Sequence, residues 1–113
     1  MVTFALRRFG YGVAAVSTSS TARKMFLNEA FPLVIADWEL PGIGGLQLCR
    51  QIRGAGLPSY TYIVVLTAKN QRSEILEGIA AGADDLVVKP FDPKELQVRL
   101  RGAERVLRLE EDL

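Results

Sequence analysis

YIVVLTAKNQRSEILEGIAAGADDLVVKP, residues 62–90, is the stretch whose pattern decides the fold. Tyr62 to Leu66 is a consecutive β-branched and apolar run that ends at Thr67, which reads as a buried strand. Ser73 to Ala81 then reads as a helix, with Ile75, Leu76 and Ile79 near a shared face and Gly82 as its terminating glycine. Leu86 to Val88 is a further apolar strand, ended by Lys89 and Pro90. Short apolar strands alternating with helices predict an α/β domain in which helices cover an open parallel sheet.

The same alternation continues upstream. Leu33 to Ala36 is apolar throughout, as a strand covered on both faces should be. Asp37 ends that run, and Pro41, Gly42, Gly44 and Gly45 force a loop before a helix from Leu46 to Arg53. Val13 to Val16 predicts a short strand, and Ser17 to Ser20 offer helix caps for a helical stretch over Ala22 to Ala30. Val2 to Arg8 reads as the end of a helix closed by Gly10 and Gly12. Downstream, Asp92 can cap and Pro93 can open a last helix reaching about Asp112. Leu96, Leu100, Ala103 and Leu107 form one apolar stripe on it, and Val106, Leu109 and Leu113 a second. Glu95 with Arg99 and Glu104 with Arg108 have the favourable four-residue order. The first stripe suits packing on the sheet; residues 103–113 also read as a helical extension toward a partner chain or an output domain.

Composition narrows the chemistry. The chain has 113 residues, 49% of them hydrophobic, which predicts one domain over 1–113. It has no histidine and one cysteine, Cys49, so internal disulfides, cysteine-histidine zinc sites and histidine-activated nucleophiles are excluded. Cys49 itself reads as a core residue on a helix face, and Trp38 as loop packing. Lysine and arginine total 14 against 13 acids, a net +1 that gives no field for direct nucleic-acid or membrane binding. No apolar run nears the roughly 20 residues of a membrane span. A soluble cytoplasmic protein is expected.

Asp37, Thr67 and Lys89 each follow a strand, and ligands bind at the carboxyl edge of parallel sheets, so these side chains are predicted to converge. A carboxylate can attack phosphorus and form an acyl phosphate when a cation neutralises the transferring group and a hydroxyl binds its oxygens. Asp84 and Asp85 resemble a metal pair, but they follow Gly82 at the opposite edge and read as a solvated turn.

Three segments together resemble the receiver domain of bacterial two-component response regulators. They are Leu33 to Gly42 around Asp37, Ile63 to Ala68 around Thr67, and Ala81 to Phe91 around Lys89 and Pro90. The resemblance implies a flavodoxin-like doubly wound sheet. It makes Asp37 the phosphoacceptor, Thr67 and Lys89 its partners, the Ala68 amide a phosphoryl donor, and Lys89-Pro90 a cis bond. Asp37 and the backbone carbonyl of Glu39 would face Mg²⁺, and Glu39 and Lys69 could pair across the mouth of the site. Leu86 occupies the switch position where the family usually has Tyr or Phe. A sensor histidine kinase or phosphotransfer protein is the implied donor, with homodimerisation or an output domain beyond the last helix as the readout. The alternative is a degenerate receiver that works by interaction alone; a small phosphatase lacks any general acid beyond Glu39. The family's first strand and its following acidic pair have no counterpart in this reading, so an N-terminally truncated sheet with weak Mg²⁺ binding is expected.

Overall fold

The computed structural model describes residues 2–5, 13–16, 19–28, 31–39, 42, 44–57, 59–68 and 72–111. Their elements are β1 (Val2–Ala5), β2 (Val13–Val16), α1 (Ser19–Asn28), β3 (Leu33–Asp37), α2 (Gly45–Gly54), β4 (Tyr62–Thr67), α3 (Arg72–Ala80), β5 (Asp85–Val88) and α4 (Pro93–Glu111). The sheet has the order β2-β1-β3-β4-β5. β3, β4 and β5 are parallel, as the alternation predicts.

The amino-terminal segment corrects the sequence reading. Val2–Ala5 is a strand, not the end of a helix, and it lies antiparallel between β2 and β3. Register pairs Phe4 with both Ala14 and Val34, so residues of one short segment satisfy the facing edges of two strands. The sheet expected to be truncated is thereby continuous from β2 to β3, and the cost of unpaired backbone groups there is avoided. Gly10 and Gly12 fall outside the described residues.

Side-chain alternation divides the sheet between two apolar layers, since successive strand residues face opposite sides. Val34, Ala36, Ile63 and Val65 join Ala22 of α1 and Leu48, Cys49 and Ile52 of α2 in one cluster. Leu33, Val64 and Val87 join Ala103 of α4 in the other, with Leu96 and Leu100 packed beside them. The first predicted stripe of the last helix is therefore its sheet-facing side. In the second stripe Val106 and Leu109 are exposed, and Leu113 lies outside the described residues. Of the two predicted ion pairs on α4, Arg108 lies 3.5 Å from Glu104. Arg99 instead reaches Asp85 at 3.5 Å, linking α4 to the adjacent strand.

The predicted face of α3 is also corrected. Leu76 and Ile79 are exposed, whereas Gly78 is the residue this helix buries. A Cβ on Gly78 would meet the two Leu86 methyl carbons at 2.8 and 2.9 Å, so the missing side chain lets α3 sit directly over β5. Among the described residues no helix is long and apolar enough to cross a membrane.

Cys49 is buried in the first cluster, and burial pushes its thiol up to about 12. Because the thiolate is the reactive form, alkylation in the native state is expected to run at least about a thousandfold slower than in urea. A time course with iodoacetamide, read by intact mass, checks this.

Candidate functional site

Parallel register brings the site together. Asp37 pairs with Leu66, and Thr67 with Val88, so the polar residues that end three adjacent strands lie side by side. Backbone hydrogen bonds continue past the strands: Trp38 N–H donates to Leu66 O at 2.8 Å, and Lys89 N–H to Thr67 O at 2.7 Å. These bonds fix the direction in which each following side chain leaves the sheet.

Lys89 Nζ lies 2.8 Å from Asp37 Oδ1. The lysine side chain is 44% exposed and the aspartate 22%, so the pair contributes little to stability by itself and remains open to a ligand from solvent. Burial raises the Asp37 carboxyl, but the hydrogen bond from Lys89 and nearby positive charge more than offset this and hold it below its ordinary value. The group is therefore an anion at neutral pH, the form a nucleophilic carboxylate requires. Thr67 is only 2% exposed, and Ala68 after it is exposed. The Lys89-Pro90 bond is cis. Leu86 sits beneath Gly78, partly buried, with Val65 as its register partner.

The loop after Asp37 returns tightly. Gly45 N–H donates to Trp38 O at 3.0 Å, and a Cβ at position 45 would run into the Asp37 carbonyl oxygen and lie 3.0 Å from its carbon. Gly44 caps α2 at φ 83°, ψ 161°, a conformation almost confined to glycine. The two glycines thus let the amino end of α2 approach the strand that carries Asp37.

This arrangement matches a known family. The response regulator receiver domain model aligns with residues 1–101. The chain belongs to the response regulator receiver family. It is 33% identical over 105 residues to the phosphate regulon transcriptional regulatory protein PhoB of Pseudomonas aeruginosa, covering 93% of this chain and 46% of that protein. It is 40% identical over 102 residues to the DNA-binding response regulator MtrA of Mycolicibacterium smegmatis, covering 89% of this chain and 43% of MtrA. The receiver thus spans less than half the length of these curated relatives. Among solved structures, the BeF3-activated receiver domain of Klebsiella pneumoniae RstA superposes with a TM-score of 0.72 at 30% identity, over 81% of this chain and 76% of that one. The BeF3-activated DrrB receiver domain gives 0.68 at 35%, over 76% and 70%. The flavodoxin-like fold that the resemblance implied is that of this family.

Receiver domains as a class use Mg²⁺. A hard dication takes about six oxygen ligands, with carboxylates supplying the charge. Among the described residues no three acidic, cysteine or histidine side chains come together, and one Asp37 oxygen already faces the Lys89 ammonium. Asp37 with the Glu39 carbonyl does not make a tight site for such an ion. Glu39 itself is exposed, and Lys69, its expected partner, lies outside the described residues.

Asp84 does not stand in the solvated turn that the sequence suggests. Its Oδ2 accepts from Arg53 Nη2 at 2.6 Å and from the Ile63 backbone N–H at 2.7 Å, while Tyr60 O–H donates to its other oxygen. Arg53 also donates to Gly82 O and Thr61 O and lies with its Cζ 4.8 Å from the Tyr60 ring centre. This network ties α2, the start of β4 and the turn before β5 together at the edge opposite Asp37. Its partners are 21 to 31 residues from Asp84 in sequence, so no local motif announces them.

Proposed function

We propose that this receiver is a phosphorylatable signalling switch with Asp37 as the phosphoacceptor. The single observation that carries this is the half-buried Asp37 carboxylate held 2.8 Å from Lys89 at the carboxyl edge of the parallel strands, beside the buried Thr67. An Asp37 oxygen attacks the phosphorus of a phosphohistidine on a sensor kinase or phosphotransfer protein. The nitrogen-phosphorus bond breaks, its electron pair returns to the donor imidazole, and an acyl phosphate forms on Asp37. Lys89 then pairs with the phosphoryl oxygens, the Thr67 hydroxyl turns toward them, and the Ala68 amide adds a donor.

The readout lies in the neighbouring strand. Thr67 leaving its buried place makes room on the side where Leu86 packs, and Leu86 under Gly78 couples that movement to α3. An aliphatic switch residue has no hydroxyl or ring to present, so the signal is a change of packing. PhoB and MtrA are named as a transcriptional regulator and a DNA-binding protein. By analogy this receiver acts in the cytoplasm on an output domain reached through the end of α4, and turns over no product of its own.

Acetyl phosphate tests the reading. With Mg²⁺ present, intact mass should show one phosphoryl group on the wild type and none on Asp37→Asn, with Lys89→Ala strongly reduced. Absence of any adduct across a range of metal concentrations would overturn it in favour of an interaction module.

A further inference from the structure

At the edge of the sheet opposite Asp37, the end of α2, the chain leading into β4 and the end of α4 enclose a cavity of about 310 Å³. That volume stands at the lower end of the range for sites that take small organic ligands. Ile52, almost wholly buried, and Leu57, packed against the first apolar layer, give the cavity an apolar lining. Tyr60 and Thr61 line it as well, and Ser59 and Glu110 are its exposed members with Gly56.

The charges around the cavity decide what it can hold. Arg53 lines it and suggests an anion site, but the guanidinium is already engaged by the protein. It donates to Gly82 O, to Thr61 O, to the Tyr60 hydroxyl and to Asp84, whose carboxylate cancels its charge. Little donor capacity is left for an incoming anion. Glu110 is the opposite case: it is exposed and forms no ion pair among the described residues. Its field reaches the cavity, since after burial and Asp84 the Glu110 charge is also among the causes that raise Tyr60. Arg53, Asp84 and Glu110 together leave one negative charge. A single carboxylate beside apolar side chains does not satisfy a hard metal ion, which takes about six oxygens. It suits an ammonium carried on an apolar body.

We infer that this cavity is a binding site for a small organic amine, whose ammonium pairs with Glu110 and whose apolar body packs against Ile52, Leu57 and Tyr60. The inference does not depend on phosphorylation of Asp37. Glu110 lies on the surface of α4, so its substitution leaves the sheet core intact.

The test titrates the isotope-labelled whole chain with phenethylamine and follows the backbone amides by NMR. Hydrocinnamate, the same ring and arm ending in a carboxylate, is the comparison. Phenethylamine should shift the amides of Gly56, Leu57, Ser59, Tyr60 and Thr61 saturably, with a dissociation constant on the order of 1 mM, as fits a ligand of its size. Hydrocinnamate should bind at least about fivefold more weakly. Glu110→Gln should weaken phenethylamine about threefold to fivefold at low salt, the range open to an exposed ion pair, and Glu95→Gln at the other end of α4 should change nothing. Absence of saturable shifts at about tenfold higher concentration would overturn the inference. So would equal affinity for the carboxylate, or equal effects of Glu110→Gln and Glu95→Gln.

Discussion

Replacing Gly45 with alanine is expected to damage the proposed phosphoryl site and the fold together, although position 45 carries no chemistry. The added Cβ would run into the Asp37 carbonyl oxygen and lie 3.0 Å from the Asp37 carbonyl carbon and 3.2 Å from Trp38 Cα. These are backbone atoms, so no side-chain rotation relieves the contact. The end of β3 or the start of α2 must move. The better helix propensity of alanine returns at most about 1 kcal/mol, against an overpacking cost of up to about 3 kcal/mol or more. A net loss of about 2 kcal/mol is expected in urea unfolding, with an unchanged slope. The larger effect is functional. Displacing the Asp37 backbone by about an ångström takes its carboxylate out of register with Lys89 and Thr67, enough to slow phosphoryl uptake from acetyl phosphate about a hundredfold. Gly44→Ala separates the two causes. Its Cβ would make only an ordinary van der Waals contact, with Trp38 O at 3.7 Å, but its φ of +83° strains any other residue. It should lose about 1–3 kcal/mol of stability yet keep most of its uptake, because nothing pushes on Asp37. Equal uptake in wild type and Gly45→Ala would show that the close approach of α2 does not position the acceptor.

What the sequence conveys and what it conceals follow a physical division. Asp37, Thr67 and Lys89 could be placed together because each ends an apolar run, and parallel strands align their carboxyl ends whatever the separation in sequence. The pairing of Asp37 with Leu66 and of Thr67 with Val88 is that alignment. Val2–Ala5 is four residues long and followed by Leu6, Arg7 and Arg8, too short for periodicity to separate strand from helix. Its strand state comes from the two edges it pairs with, which are tertiary facts. Gly45 reads as a loop residue and Gly78 falls unremarked inside the helix predicted over Ser73 to Ala81, because close approach of two backbones or of a helix and a leucine leaves no local pattern. The role of Asp84 is concealed for a related reason. A pair of acids after a glycine looks solvated unless one knows that an arginine 31 residues earlier reaches it.

Removing that carboxylate is the second change expected to have a large effect. In Asp84→Ala the Arg53 guanidinium, 27% exposed, loses its counter-charge, the Ile63 N–H at the head of β4 loses its acceptor, and the Tyr60 hydroxyl loses its own. Breaking a fully buried pair from one side costs about 3–5 kcal/mol; partial exposure here reduces the expectation to about 2–3 kcal/mol, or about 10 °C in Tm for a domain of this size. Tyr60→Phe removes a single hydrogen bond and should cost about 1 kcal/mol. Because both substitutions act on one network, the double variant should lose less than the sum of the two, and strict additivity would show that the network is not a unit. The alkaline limb supplies an independent check. Burial, and then the hydrogen bond to Asp84 and its charge, push Tyr60 from 10.0 up to about 12. A phenol whose folded value is raised contributes stability that is complete below its unfolded value and is lost as pH rises through the folded one. The wild type should therefore lose that contribution between about pH 10 and 12. Tyr62, raised chiefly by its own burial, adds to the same limb, so Tyr60→Phe should flatten the loss without abolishing it. Asp84→Ala should flatten it less, since burial of Tyr60, the largest cause, survives the loss of its acceptor. An alkaline limb identical in wild type and Tyr60→Phe would mean that the Tyr60 hydroxyl is not held by the clamp that joins α2 to the heads of β4 and β5.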